Sequence, residues 1–115
     1  MATRVDTHQR GNVTVLVPRG KITIGAGDIA LRNAMQATMN NGAANIVVNL
    51  GEVSTIDSSG VGELVSAYTT AMNRGAKVKL ANLSPKINDI LSITQLITVF
   101  DIYDSEDEAV ASYSS

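Results

Sequence analysis

The order of hydrophobic and polar positions along the chain predicts strands that alternate with helices after an opening hairpin. The odd positions of residues 13–17 are all valine, which is typical of a strand with one β-branched face. Gly11-Asn12 joins this strand to an extended segment at residues 5–10, and the pair suits the positive φ of a tight turn. Pro18 and Gly20 interrupt the pattern. Residues 45–50 are nearly continuous in apolar side chains, which predicts a central strand covered on both faces. Shorter extended segments are predicted at residues 21–24, 53–56, 77–80 and 99–103.

Helical periodicity is strongest over residues 59–73, where five apolar side chains recur on one face: Val61, Leu64, Val65, Tyr68 and Met72. A second helix is predicted at residues 28–40, with Leu31, Met35 and Met39 on one stripe. Ser84-Pro85 is a helix start, and residues 105–108 have the S-x-x-E form of a capping box before a terminal helix that runs to about residue 113. The pattern predicts an α/β fold in one domain over residues 1–115. It is a mixed β-sheet of about five to six strands with about four helices packed on it.

The composition excludes several kinds of site. The chain has 115 residues, of which 44% are hydrophobic, so it can bury a core without disulfides. The absence of cysteine removes disulfides, thiolate metal sites and cysteine nucleophiles, and His8 is the only histidine. We therefore expect neither a metal nor a cofactor.

The distribution of charge excludes other partners. Nine basic and six acidic residues precede residue 101, and five acidic residues follow, which fits an acidic first turn on the terminal helix. The basic residues do not cluster and aromatic residues are few, so direct nucleic-acid binding is not expected.

No apolar run approaches the roughly 18 residues of a membrane span. Residues 1–20 lack the apolar centre of a signal peptide, so a cytoplasmic protein without membrane insertion is expected.

The candidate site lies where residues 53–56 lead into the strongest helix. Backbone N–H groups at a helix start lack partners and carry partial positive charge. One interpretation is structural: Asp57, Ser58 and Ser59 cap the helix and Gly60 allows a close backbone approach. The other interpretation is that Ser58 carries a phosphate, because the free N–H groups can accept the anion. Its charge of about −1.5 to −2 would lie beside Asp57 and within a turn of Glu63.

Catalysis by Ser58 is not expected. A nucleophile elbow has the form G-x-S-x-G, and here the residue two before Ser58 is Ile56. His8, the one histidine that could act as a base, belongs to a predicted edge strand. Gly25-Ala26-Gly27 lacks the third glycine of a dinucleotide-binding loop. We therefore expect a protein that is not an enzyme.

At these residues the chain resembles the STAS domain, specifically the bacterial anti-sigma factor antagonists. The segment Asp57-Ser58-Ser59-Gly60-Val61-Gly62 resembles the family signature D-S-[ST]-G-[LV]-G, and Gly20-Lys21-Ile22 resembles its G-x-[LI] segment. Residues 80–85 are similar to its strand-loop-helix passage, and residues 100–103 are similar to its closing strand. The resemblance covers essentially the whole chain.

The resemblance implies a phosphorylation switch with no chemistry of its own. It implies that Ser58 is the phosphoacceptor, that the unphosphorylated form binds an anti-sigma factor with serine-kinase activity and so frees a sigma factor, and that phosphorylation ends this binding. A separate serine phosphatase would reset the system. The implied partner-binding residues, besides Ser58 itself, are Thr23, Ile24, Gly25, Ala26, Gly27, Asp57, Ser59, Gly60, Val61 and Glu63. Thr23 stands where many members have an acid, so partner contacts at that loop are expected to differ.

Two other functions stay open at this point. STAS domains also act as scaffolds or accessory subunits of stress-sensing complexes and transporters, which would keep the fold without a sigma factor. A small-molecule binder is the third possibility, although no phosphate-cradling loop exists beyond the helix start at Ser58. The sequence leaves the oligomeric state open.

Overall fold

The structure is a computed structural model that describes residues 4–114. Within this range six strands form one mixed sheet and four α-helices pack against it, which confirms the predicted fold class. The strands are β1 (Arg4–Arg10), β2 (Val13–Ile22), β3 (Asn45–Asn49), β4 (Val53–Ile56), β5 (Lys77–Ala81) and β6 (Ile102–Tyr103). The helices are α1 (Ala26–Asn40), α2 (Ser58–Asn73), α3 (Pro85–Ile93) and α4 (Glu106–Ser112). No helix in the described range is long and apolar enough to cross a membrane.

The longest strand of the sheet is β2, which has three strand neighbours. It pairs antiparallel with β1 through the predicted Gly11-Asn12 hairpin. On its other side residues 13–16 pair in parallel with β3, and residues 20–22 pair in parallel with β4. The strands β3 and β4 therefore lie end to end along β2. The remaining pairs, β3 with β5 and β5 with β6, are also parallel.

The predicted interruption at Pro18 and Gly20 was wrong, because β2 is one continuous strand of ten residues. Pro18 lies between Leu16, the last residue paired with β3, and Gly20, the first paired with β4. Its missing N–H thus falls where the strand changes neighbours. The register shifts between Gly20 and Lys21, as at a β-bulge.

The helix starts were predicted more accurately than the strand ends. The hydroxyl of Ser84 accepts the N–H of Ile87 at 3.3 Å, and the hydroxyl of Ser105 accepts the N–H of Glu108 at 3.1 Å, so both predicted caps are confirmed. At residues 99–103 the predicted strand shrinks to the two residues of β6. A short 3-10 helix (Leu96–Thr98) occupies the approach to it.

The buried face of α2 also differs from the predicted one. Met72 is 58% exposed, whereas Ala67 and Ala71 are buried. The predicted Val61 and Leu64 are buried, which confirms that part of the face. The other buried positions, Gly60, Ala67 and Ala71, are small residues, which let the helix backbone approach the sheet closely. Sequence periodicity had favoured the larger side chains.

Two apolar clusters hold the layers together. The larger one lies between the sheet and the helices α1, α2 and α3, and it includes Leu16, Leu31, Leu64 and Leu91. The smaller one lies on the opposite face of the sheet, where α4 contributes the fully buried Ala109. Both α1 and α2 follow the carboxyl ends of parallel strands, so their first turns meet at one edge of the sheet.

Candidate functional site

Ser58 is the first residue of α2, and its side chain faces solvent. Among residues 4–114 its hydroxyl has no hydrogen-bond partner. Asp57 precedes it in an extended conformation and caps the helix, with its Oδ1 accepting the N–H of Gly60 at 3.1 Å. The cap that the sequence predicted is therefore present, and it is supplied by Asp57. Ser58 consequently keeps a free hydroxyl at the helix start.

The second carboxylate oxygen of Asp57 reaches a different segment of the chain. Its Oδ2 accepts the N–H of Ile24 at 3.0 Å, in the turn between β2 and α1. The Asp57 N–H in turn donates to the carbonyl of Ile22 at 3.3 Å. Hydrogen bonds from the N–H of Ile24, and next from that of Gly60, lower the pKa of Asp57 below its usual value. The carboxylate therefore stays ionised at neutral pH.

Gly60 allows this turn to pack against the sheet. A Cβ placed at Gly60 would lie 2.2 Å from the carbonyl oxygen of Ile22 and 2.6 Å from Cγ1 of Ile56. No side chain fits there without a shift of backbone atoms. In contrast, a Cβ placed at Gly62 would meet no atom within 4 Å. The two glycines of the signature thus have different environments.

The turn between β2 and α1 lies next to the start of α2 and is mostly exposed. Ile24 is 77% exposed, and Gly25 and Ala26 are exposed as well. Gly25 has a φ of +101°, a conformation that side chains other than glycine rarely adopt. Thr23 is half-buried, and its carbonyl accepts the N–H of Asp28 at 3.0 Å. This segment and Ser58 together form what we call the Ser58 face: Ile24, Gly25, Ala26 and Ser58.

Other residues predicted to bind the partner lie beneath this face. Gly27, Gly60 and Val61 are buried, so they pack beneath the Ser58 face and do not form part of its exposed surface. Ser59 is half-buried. Glu63 keeps only 15% of its side chain exposed, because Arg32 of α1 pairs with it at 2.7 Å. The partner contacts themselves remain a prediction.

Residues that the sequence did not single out also contribute to this edge. Ile29 is 46% exposed on the first turns of α1, off the buried stripe of that helix, and an apolar residue at such a position was a signal that could have been noticed. The pairing of Arg32 with Glu63 had no local signal, because the residues are 31 positions apart. Asp28 is buried, and one of its oxygens has no partner in the described range.

The histidine lies in a different environment from Ser58. The Nε2 of His8 is 3.0 Å from a carboxylate oxygen of Glu106 at the start of α4, and the His8 side chain is exposed on β1. No hydrogen bond in the described range joins it to Ser58. No group of three His, Asp or Glu side chains between residues 4 and 114 is placed to hold a metal ion. Within residues 4–114, Ser58 therefore offers an exposed hydroxyl that makes no hydrogen bond to the histidine.

Known proteins share this fold and this sequence pattern. The family model of the STAS domain matches residues 4–109. An anti-sigma-B factor antagonist of Bacillus subtilis is 29% identical over 102 residues, which are 89% of this chain and 92% of that protein. The crystal structure of an anti-sigma factor antagonist from Mycobacterium paratuberculosis superposes with a TM-score of 0.90 at 19% identity, covering 99% of this chain and 96% of the other.

Two further solved structures, of proteins with different names, have the same fold. The phosphorylated form of SpoIIAA, a Bacillus cell fate determinant, has a TM-score of 0.72 at 21% identity, covering 97% of this chain and 99% of the other. A sulfate transporter family protein from Wolinella succinogenes also has a TM-score of 0.72, at 15% identity, covering 90% and 86%. At these identities the structures show the fold alone. The match of the family model across most of the chain establishes that the protein belongs to the STAS domain family.

Proposed function

We propose that the protein is an anti-sigma factor antagonist that is switched by phosphorylation of Ser58. In this proposal the unphosphorylated form binds an anti-sigma factor with serine-kinase activity and so frees a sigma factor. Phosphorylation ends the binding, and a serine phosphatase restores it. The protein itself catalyses no step. The relatives named as anti-sigma factor antagonists support this role.

The observation that carries the proposal is the environment of the Ser58 hydroxyl. It is exposed at the first position of a sixteen-residue helix, it has no hydrogen-bond partner among residues 4–114, and the exposed Ile24 lies on the neighbouring turn. A kinase can therefore reach the hydroxyl without unfolding the helix. Ser59, the neighbouring hydroxyl, is half-buried and is the weaker acceptor.

The same environment explains how a phosphate would end binding. A phosphoserine carries about −1.5 to −2 charges. Here it would lie next to the carboxylate of Asp57 and on a face whose other side chains, Ile24 and Ala26, are apolar. Burying such a charge against an apolar partner surface without compensation is costly. A loss of only about 3 kcal/mol of binding free energy would weaken the complex more than a hundredfold.

The test is to incubate the protein with ATP and a candidate histidine-kinase-type ATPase from the source organism, and to map the phosphate by mass spectrometry. We expect modification at Ser58, none in Ser58→Ala, and normal modification in Ser59→Ala, the matched control. Ser58→Asp should weaken binding to the ATPase, and Ser58→Ala should bind constitutively. Phosphate on another residue, or no phosphate at all, would refute the assignment.

A scaffold or accessory subunit of a stress-sensing complex or a transporter is the second candidate function. The likeness to the sulfate transporter family protein favours it, because that structure has the same fold. Pull-down from cells of the source organism separates the two functions. Recovery of a permease or of a large homo-oligomer, in place of an ATPase, supports the second.

A further inference from the structure

The turn that carries Ile24 is short and largely exposed, yet it lies in a defined position relative to Ser58. Within the turn, the N–H of Asp28 closes on the carbonyl of Thr23 at 3.0 Å, which fixes only its local shape. The bond from the Ile24 N–H to Oδ2 of Asp57, at 3.0 Å, connects the turn to the start of α2, 33 residues further along the chain. Asp57 thus supplies the side-chain bond between the turn and the start of α2, beside the backbone bond from its own N–H to the Ile22 carbonyl at 3.3 Å.

That side chain is shared between the two segments. Oδ1 of Asp57 accepts the N–H of Gly60 and so fixes the first turn of α2, while Oδ2 holds the turn of Ile24. We propose that Asp57 is a positioning residue that holds Ile24 and Ser58 at a fixed separation, so that the partner meets them as one surface. The inference rests on the proposed function, in that it takes the Ser58 face to be the docking surface.

The requirement for a carboxylate follows from its two acceptor oxygens. An ionised Asp accepts hydrogen bonds on both oxygens, whereas Asn has one acceptor oxygen and an NH₂ group that only donates. Asn at position 57 could therefore serve Gly60 or Ile24, but not both. Ser at position 57 is as good a helix cap as Asp, yet its single short hydroxyl cannot span both segments. Asp57→Ser therefore separates the capping role from the positioning role, and Asp57→Asn weakens the two together.

The ionised state of Asp57 strengthens the connection. Hydrogen bonds to a charged acceptor are stronger than those between neutral groups. The donors from both segments lower the pKa of Asp57, so the carboxylate remains charged over the whole neutral range. Loss of one such charge-assisted bond is expected to change the equilibrium for local opening of the turn about tenfold.

The decisive measurement is amide hydrogen exchange on Asp57→Ser, followed residue by residue with NMR. We expect exchange of the Ile24 amide to become at least tenfold faster, while the amides in the middle of α2 keep their protection and the melting temperature changes little. Asp57→Asn should give an intermediate increase at Ile24. If the Ile24 amide exchanges in both variants at the rate that it has in the unsubstituted protein, the positioning role is wrong, whatever the partner is.

Kinetics of phosphorylation test the consequence for docking, with the same ATPase as probe. In Asp57→Ser the KM for Ser58 phosphorylation should rise about tenfold with kcat nearly unchanged, because the hydroxyl is intact and only the docking surface is loosened. Ile24→Ala should raise KM to a similar degree. A faster Ile24 exchange with an unchanged KM would overturn the docking consequence. Failure of the ATPase to modify Ser58 in the unsubstituted protein would instead refute the proposed function, and the exchange result would stand independently.

Discussion

Gly60 and Gly62 lie two residues apart on α2, and replacement of each by alanine is expected to change the free energy of unfolding in opposite directions. Gly62 is an interior position of the helix, where alanine is intrinsically more favourable than glycine by about 0.5–1 kcal/mol, and Gly60, in the first turn, can gain at most the same amount. At Gly62 an added Cβ meets no atom within 4 Å, so this gain should appear in full. Gly62→Ala is therefore expected to be more stable than the unsubstituted protein by about 0.5–1 kcal/mol.

Gly60→Ala introduces a clash that outweighs the same gain. Its Cβ would lie 2.2 Å from the carbonyl oxygen of Ile22 and 2.8 Å from Cγ2 of the same residue, against ordinary contacts of 3.4–4 Å. The oxygen belongs to the backbone and cannot rotate away, so the helix start must move by about 1 Å or more. Overpacking of this kind costs about 1–3 kcal/mol, and occasionally more. We expect a net loss of about 2 kcal/mol for Gly60→Ala.

Urea denaturation followed by circular dichroism measures both effects, and thermal melts provide a check at about 4 °C per kcal/mol for a domain of this size. The two variants should differ by about 3 kcal/mol, although their sequences differ at neighbouring positions of one motif. Equal stabilities would show that α2 does not approach Ile22 as closely as the structure places it. A marked loss in Gly62→Ala would show that this side of the helix is not open.

Two further predictions concern a helix cap and an electrostatic contact. Ser84→Ala should lower the free energy of unfolding by about 1 kcal/mol in urea denaturation, because Ser84 caps α3. Ser92→Ala is the matched control and should change the free energy of unfolding little, since its exposed hydroxyl donates only to the carbonyl of Asn88 in the preceding turn. Burial raises the pKa of Glu106, but bonds from neighbouring side chains outweigh it, so the pKa lies below its usual value of 4.5. Glu106 therefore stabilises the fold above about pH 4.5, and this contribution is lost as the pH falls through the lower pKa of the folded state. Glu106→Gln should reduce the acid dependence of the free energy of unfolding between pH 5 and pH 3, and an unchanged acid dependence would contradict this.

Local features of this protein were determined by the sequence alone. The Ser84 and Ser105 caps and the Gly11-Asn12 hairpin were predicted at the correct residues. Each of these features depends on atoms within about four positions of the chain, so its physical cause is visible in a short segment. The order of strands and helices follows from the same local signals, because their hydrophobic periods differ. The importance of Ser58 was also indicated by local sequence, as a hydroxyl at a helix start.

The environment around Ser58 was decided by tertiary structure. Three features depend on segments more than 30 residues apart: the bond of Asp57 to Ile24, the lack of space for a Cβ at Gly60 against Ile22, and the pairing of Arg32 with Glu63. The continuity of β2 through Pro18 has the same origin. A proline is tolerated inside this strand because pairing with β3 ends before it and pairing with β4 begins after it. Periodicity in one segment reports which face of an element is apolar, but it holds no information on the partner of that face. For this reason the sequence indicated Ser58 as the candidate residue, and only packing between distant segments revealed what holds the surface around it.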